Sequence, residues 1–421
     1  MKKACLIFFF VSFFKLAESQ ERGPKVFTSD IDHFWTAFDS IQTTSDSLKQ
    51  LSYIQTLYID QGTPGLKAFM EAREYSAPLW IHLIREYPRF WRSVRPNTLQ
   101  VKNMSGTLES RIEKLKQLYP RLREAKMFFT IGGLRSGGTT MRDMVLIGTE
   151  IAAATSSTDV SEFTNPWLRS VFQHQSSGNI VPLNIHEYVH TQQNGEPKNL
   201  LATAIKEGSA DFITALVMEK PLQANYIQYG REHDSLLKEN FKRELFTTNY
   251  NDWLYNGSNA KTVADLGYYV GYAICESYYN KAKNKMQAIK EIIELNYSDD
   301  KAVENFFQQS GYIQQPVEYL KSKTPVVARI EPFSNDDSLV DPAITHVRII
   351  FSRPMDTRHY SMDVGEKGKE DFPITGVDGF PDSLTIVLQV KLQPRHDYEF
   401  ILTNRSFRSE DGYLLKPYLV R

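Results

Sequence analysis

At 421 residues the chain is too long for one ordinary hydrophobic core, so two domains, or three, are expected. Its 41% hydrophobic and 24% charged content is that of a soluble globular protein, and neither a low-complexity tract nor an internal repeat is visible. A formal net charge of −1 supplies no global attraction to nucleic acid or to an anionic membrane.

The amino terminus stands apart. Lys2 and Lys3 precede an apolar run from Ala4 to Phe14, and Ala17-Glu18-Ser19 sets small residues at the −3 and −1 positions of a cut before Gln20. Residues 1–19 are therefore expected to be a secretory signal peptide, with an uncleaved anchor as the alternative. Cleavage removes Lys2, Lys3, Lys15 and Glu18, moving the net charge from −1 to −3, and removes Cys5. Cys275 is then the one cysteine left, so no internal disulfide is available. No later segment reaches the apolar length of a membrane span, and the mature chain is expected to be exported: periplasmic, cell-surface or extracellular.

From Asp30 to about Tyr119 the apolar spacing is helical. Ser45-Asp46 can cap a helix carrying Leu48, Leu51, Ile54, Leu57 and Tyr58, with Gly62 as its stop. Thr63-Pro64 offers a cap and a first-turn proline for the next, and Trp80, Ile81, Ile84, Phe90 and Trp91 read as core. Near Met127 the period changes. Met127–Ile131 and Val145–Ile147 read as strands, Gly132-Gly133 as a bend and Ser136-Gly-Gly-Thr139 as a turn. Helices resume from Pro182 to about Tyr319, and after Lys323 short alternating strands follow to the end. The expected class is α+β: residues 20–324 form a largely helical domain with a small sheet, and residues 325–421 form an all-β sandwich.

The chemistry sits in the second helical region. His186-Glu187-Tyr-Val-His190 fits H-E-x-x-H, and on a helix this spacing puts both imidazoles on one face, where they can reach one ion. Glu187 then projects beside the metal, placed to take a proton from water. Glu207 and Asp211, also four apart, lie on a helix expected from about Asn199 to Met218. Two histidines and a carboxylate with an open fourth position make a catalytic zinc site, and Asp211 can accept the outer ring N–H of a ligating histidine.

H-E-x-x-H followed by E-x-x-x-D on the next helix resembles the gluzincins, the metallopeptidases related to thermolysin. The wording His186-Glu-Tyr-Val-His190-Thr-Gln-Gln with Glu207-Gly-Ser-Ala-Asp211-Phe is similar to a bacterial family called predicted zinc-dependent proteases. The resemblance runs through most of residues 30–320. It implies a zincin-type domain with Zn2+ held by His186, His190 and Glu207, Glu187 as general base and Asp211 behind a ligand. The helix at Gly267–Tyr272 is the best source of an oxyanion donor, from Tyr268 or Tyr272, though either can equally be a packing residue. In this fold a strand beside the cleft commonly pairs with substrate backbone, which points to Gly132–Arg135 or Val145–Gly148. No Gly-x-Met-Glu-Asn segment is present, which mildly favours endopeptidase action. His33, His82, His174, His233, His346, His359 and His396 show no ligand spacing.

Residues 325–421 resemble bacterial Ig-like domains, carried by Ile330-Glu-Pro332, Ile349-Ile-Phe351-Ser-Arg-Pro-Met355-Asp356 and Asp411-Gly412. The reading is a secreted zinc metallopeptidase acting on a peptide or protein substrate, with a cell-envelope partner for the Ig-like domain. The alternative is a non-catalytic envelope binding or assembly protein that keeps a zincin scaffold.

Overall fold

The computed structural model describes residues 25–173 and 180–421. The expected signal peptide at 1–19, and His174, lie outside the described residues. Helix makes up 47% and strand 15%, and the strands fall in two separate places, so the fold is of the mixed α+β kind. Among the described residues, no helix is long and apolar enough to cross a membrane.

The first stretch runs β1 (Val26–Phe27), α1 (Ser29–Ile41), α2 (Ser47–Ile54), α3 (Pro64–Arg73), α4 (Ala77–Glu86), α5 (Pro88–Gln100) and α6 (Ser105–Leu118). The start signals act as the side-chain chemistry demands. Asp46 accepts from the Leu48 and Lys49 amides, and Thr63 Oγ1 accepts from Leu66 N with Pro64 next in line. α2 passes into a single wide turn over Gln55–Ile59, and the helical run is over by Gly62, whose amide donates to Ile59 O at 3.1 Å. The aromatic residues form one packed cluster. Phe34 meets Tyr58 at 5.2 Å and Trp91 at 5.2 Å, and Tyr58 meets Trp80 at 5.2 Å. Two of them reach the sheet with their polar ends. Tyr58 Oη donates to Ile131 O at 2.6 Å and Trp80 Nε1 donates to Gly132 O at 2.8 Å, fixing where the strand beside the site ends.

That sheet is β2 (Lys126–Thr130), β3 (Gly138–Met141) and β4 (Met144–Gly148), ordered β1-β2-β4-β3. β2 and β4 are parallel, and β3 turns back antiparallel on β4 through Arg142-Asp143, with Arg142 at φ +55°. Two expectations are corrected here. The Ser136–Thr139 segment is not all turn, because Gly138 opens the edge strand. Val145–Gly148 is paired on both sides, by β2 and β3, and so has no free edge for a further strand. The signal was weak because the hairpin turn lacks glycine and asparagine, and the strand begins with a glycine.

Then come α7 (Thr149–Ala152), α8 (Pro166–Gln173), α9 (Ile180–His190), α10 (Leu200–Met218), α11 (Asn225–Glu232), α12 (Asp234–Phe241), α13 (Leu266–Lys281), α14 (Lys285–Ile293), α15 (Asp300–Ser310) and α16 (Val317–Lys323). α10 and α13 cross in direct backbone contact. A Cβ on Gly271 would lie 1.7 Å from Ala204 O, and one on Gly208 would lie 2.1 Å from Tyr272 N, so only glycine fits at this crossing.

From β5 (Val327–Glu331) the chain makes β6 (His346–Phe351), β7 (Met362–Val364), β8 (Ile374–Asp382), β9 (Thr385–Val390), β10 (Phe400–Leu402) and β11 (Tyr418–Val420). They form antiparallel sheets β5-β6-β9-β8 and β11-β10-β7 around a hydrophobic cluster of their own, including Ile349, Phe351, Leu388, Leu402 and Phe407. The other cluster draws its buried apolar residues from Val26 to Leu320. The two parts meet where Leu414 N donates to Arg243 O at 3.4 Å, where the Lys323 ammonium lies 3.7 Å from Asp411, and where Arg353 Nη1 donates to Lys323 O.

Candidate metal centre

α9 carries the first two residues because its apolar positions dock it. Ile185, Tyr188 and Val189 are buried, and Tyr188 Oη takes the Ala125 amide at 2.9 Å at the entry to β2. The helix ends at His190, five residues before the expected stop; Gly195, at φ +77°, lies instead in the following turn against Asn296 and Ser298. α10 begins where Asn199 caps the Ala202 amide at 2.9 Å, and it brings Glu207 and Asp211 to α9.

His186, His190 and Glu207 converge. His186 Nε2 and His190 Nε2 are 2.9 Å apart, and Glu207 Oε2 lies 3.5 Å and 3.3 Å from them. Four-coordinate zinc with bonds of ~2.0–2.1 Å has ligand-to-ligand edges of roughly 3.3–3.4 Å, which these spacings bracket. The outer ring nitrogens are both engaged. His186 Nδ1 donates to Asp211 Oδ1 at 2.8 Å, and His190 Nδ1 donates to Gln193 Oε1 at 2.6 Å. With Nδ1–H so fixed, two neutral imidazoles would aim lone pairs at each other, and a carboxylate oxygen faces both. The cluster is therefore built around one positive charge.

The titration behaviour agrees. Burial pushes His186 down, but Asp211 and Glu207 more than offset it and hold the imidazole well above its ordinary value. Burial raises Glu207, yet the two histidines keep it well below the usual carboxylate range. The donor set of two imidazole nitrogens and one carboxylate oxygen, each oriented from behind, suits zinc.

Glu187 follows His186 on the same helical turn and is half-buried. Its carboxylate faces the edge strand: a Cβ on Gly138 would lie 3.5 Å from Glu187 Cγ and Oε1. The loop delivering that strand is clamped by buried Glu150 of α7, which accepts from Gly132 N at 2.7 Å and Leu134 N at 3.1 Å. Burial pushes the Glu150 carboxyl up to about 7 against those two bonds.

The tyrosines part company. Tyr268 stacks on His186, ring centres 6.1 Å apart at 25°, and burial followed by the Glu207 charge holds its phenol well above the ordinary value, so it stays a neutral donor. Tyr272 does not join it. One turn further on, its ring packs on Phe212 at 5.5 Å and under the Arg231 guanidinium at 5.6 Å, a packing role. The sequence reading missed three participants. Gln193 holds His190 while its amide donates to Lys206 O and Ser209 Oγ of α10, both at 2.8 Å. Its position three residues after His190, on the same side of the chain, was the available signal. Tyr226 Oη donates to Asp211 Oδ2 at 2.9 Å and Tyr255 Oη donates to Glu207 Oε1 at 2.9 Å; both come from distant segments with no local signature. Among the described residues, no other group of three or more histidine, cysteine, aspartate and glutamate side chains has ligand spacing.

A family described as "Predicted Zn-dependent protease" matches residues 163–299, the stretch that holds His186, Glu187, His190, Glu207 and Asp211. That description supports zinc and proteolysis at the level of the family. No curated protein matches the chain. Among solved structures, the S-layer protein rSbsC is similar over 93% of this chain and 44% of its own length, at 8% identity and a TM-score of 0.19. The chain thus spans less than half of that protein, and the likeness is too weak to bear on the fold.

Proposed function

We propose that the protein is a zinc metallopeptidase of the gluzincin type, with His186, His190 and Glu207 as the ligands. One observation carries this reading. Two imidazole Nε2 atoms and a carboxylate oxygen meet at one point, each histidine held by an acceptor on its other nitrogen. Zinc, when bound there, acts as a Lewis acid toward a carbonyl and toward water.

The chain's own groups do the rest. Glu187 accepts the proton of the attacking water and passes it to the leaving amine. Asp211 fixes the His186 tautomer and Gln193 that of His190. Tyr268, kept neutral beside Glu207, is the donor for the developing oxyanion. β3 is the sheet edge next to Glu187, so an extended peptide pairing with Gly138–Met141 would run its backbone past the base. This strand replaces both segments expected from the sequence.

Residues 20–324 would be the catalytic unit and 325–421 an Ig-like sandwich, a reading supported by two separate hydrophobic clusters and two antiparallel sheets in the second. In this proposal the leader at 1–19 directs export, and the Ig-like unit docks on a cell-envelope partner. The test is Glu187→Gln. It should leave zinc content and unfolding unchanged and lower peptide hydrolysis by a factor of at least about 10²; normal turnover in that variant would sink the mechanism.

A further inference from the structure

Glu207 has a second carboxylate oxygen, and the structure gives it a partner of its own. Oε2 faces the two histidines, while Oε1 accepts from Tyr255 Oη at 2.9 Å. Tyr255 lies on the loop between α12 and α13, with its ring largely solvent-exposed and a backbone φ of +56°. A bulky residue in the left-handed region is strained, and such strain persists only where the surroundings enforce it. Here they do. Asp265, at the other end of the loop, is also left-handed at φ +63°, and Asn256 Oδ1 accepts the Asp265 amide at 2.9 Å. That bond closes the neck of the loop one residue after Tyr255. Trp253 O takes the Gly267 amide at 2.7 Å, and the Tyr255 ring stands edge-on to Tyr268 at 6.4 Å.

We propose that Tyr255 is a positioning residue for the metal centre. Its phenol engages one oxygen of Glu207 so that the other stays turned toward His186 and His190, and the closed neck from Asn256 to Asp265 holds the phenol in place. The inference rests on the zinc reading above. Without the phenol, the Glu207 side chain regains rotation about its outer bonds, and the carboxylate must be oriented anew each time a metal enters.

The experiment measures zinc affinity of the purified protein by chelator competition, the absorption spectrum of the cobalt(II)-substituted protein, and unfolding of the metal-free chain. Tyr255→Phe should weaken zinc binding by about tenfold or more and shift the cobalt spectrum, with metal-free unfolding unchanged. Asn256→Ala leaves the phenol present but opens the neck, and should weaken zinc binding in the same direction. It also serves if Tyr255→Phe does not fold. Wild-type zinc affinity and an unaltered cobalt spectrum in the two variants would overturn the proposal. Failure of the wild type itself to bind zinc would overturn the underlying metal reading, so the two failures are distinguishable.

Discussion

Asp211→Asn tests most directly whether the groups behind the ligands set the site. Asp211 is only 4% exposed and accepts twice, from His186 Nδ1 at 2.8 Å on Oδ1 and from Tyr226 Oη at 2.9 Å on Oδ2. Asparagine keeps the shape but offers one acceptor oxygen to these two donors, so its NH2 must confront either the imidazole N–H or the phenol. One charge-assisted bond is lost and one buried donor goes unpaired, while the cost of burying a carboxylate disappears. A buried hydrogen bond to a charged group contributes about 1.5–3 kcal/mol, so a net loss of roughly 1–2 kcal/mol is expected in the metal-free protein. Zinc affinity should fall a further 10–100-fold, because a neutral amide, contested by the phenol, holds His186 less firmly in the Nδ1–H tautomer that leaves Nε2 free. Urea unfolding of the metal-free protein gives the first number and chelator competition the second. Tyr226→Phe, which leaves the His186 contact intact, should change both less. Zinc affinity within twofold of wild type in Asp211→Asn would refute the reasoning.

Two further outcomes follow from the same geometry. Glu150 holds its proton in the folded chain up to about pH 7 but releases it in the unfolded chain above its ordinary value of 4.5. Its contribution to stability is therefore fully present below pH 4.5 and is lost as pH rises toward 7, by about 3 kcal/mol in all. The stability difference between wild type and Glu150→Gln, followed by denaturant unfolding from pH 4.5 to 7.5, should fall by that order; a flat difference would show that the carboxyl is not desolvated. Gly271→Ala places a methyl 1.7 Å from Ala204 O and must push α10 away from α13. It should cost roughly 3 kcal/mol or more by thermal or urea unfolding and also weaken zinc binding, since α10 carries Glu207. Wild-type stability in this variant would mean that the helices do not meet as described.

Local chemistry and periodicity, both written in neighbouring residues, carried much of this molecule. His186, Glu187 and His190 share a helical turn, so four-residue spacing alone placed them together, and Glu207 with Asp211 followed on a helix whose cap, Asn199, is where its side chain predicts. Asp46 and Thr63 likewise mark helix starts through bonds made within three residues, with Pro64 in the first turn after Thr63. Hidden from the sequence was whatever depends on which distant segments meet. Nothing near Tyr226 or Tyr255 announces that one supports Asp211 and the other Glu207, because those contacts are set by the packing of α11 and the loop before α13. Tyr268 and Tyr272 are equivalent by spacing, and only the glycine-lined crossing of α10 and α13 decides that the first faces His186 and the second Phe212. The free sheet edge was likewise undetermined. Strand propensity can mark Val145–Ile147 as β, but pairing on both sides is a property of the assembled sheet, and it leaves Gly138–Met141 as the edge beside Glu187.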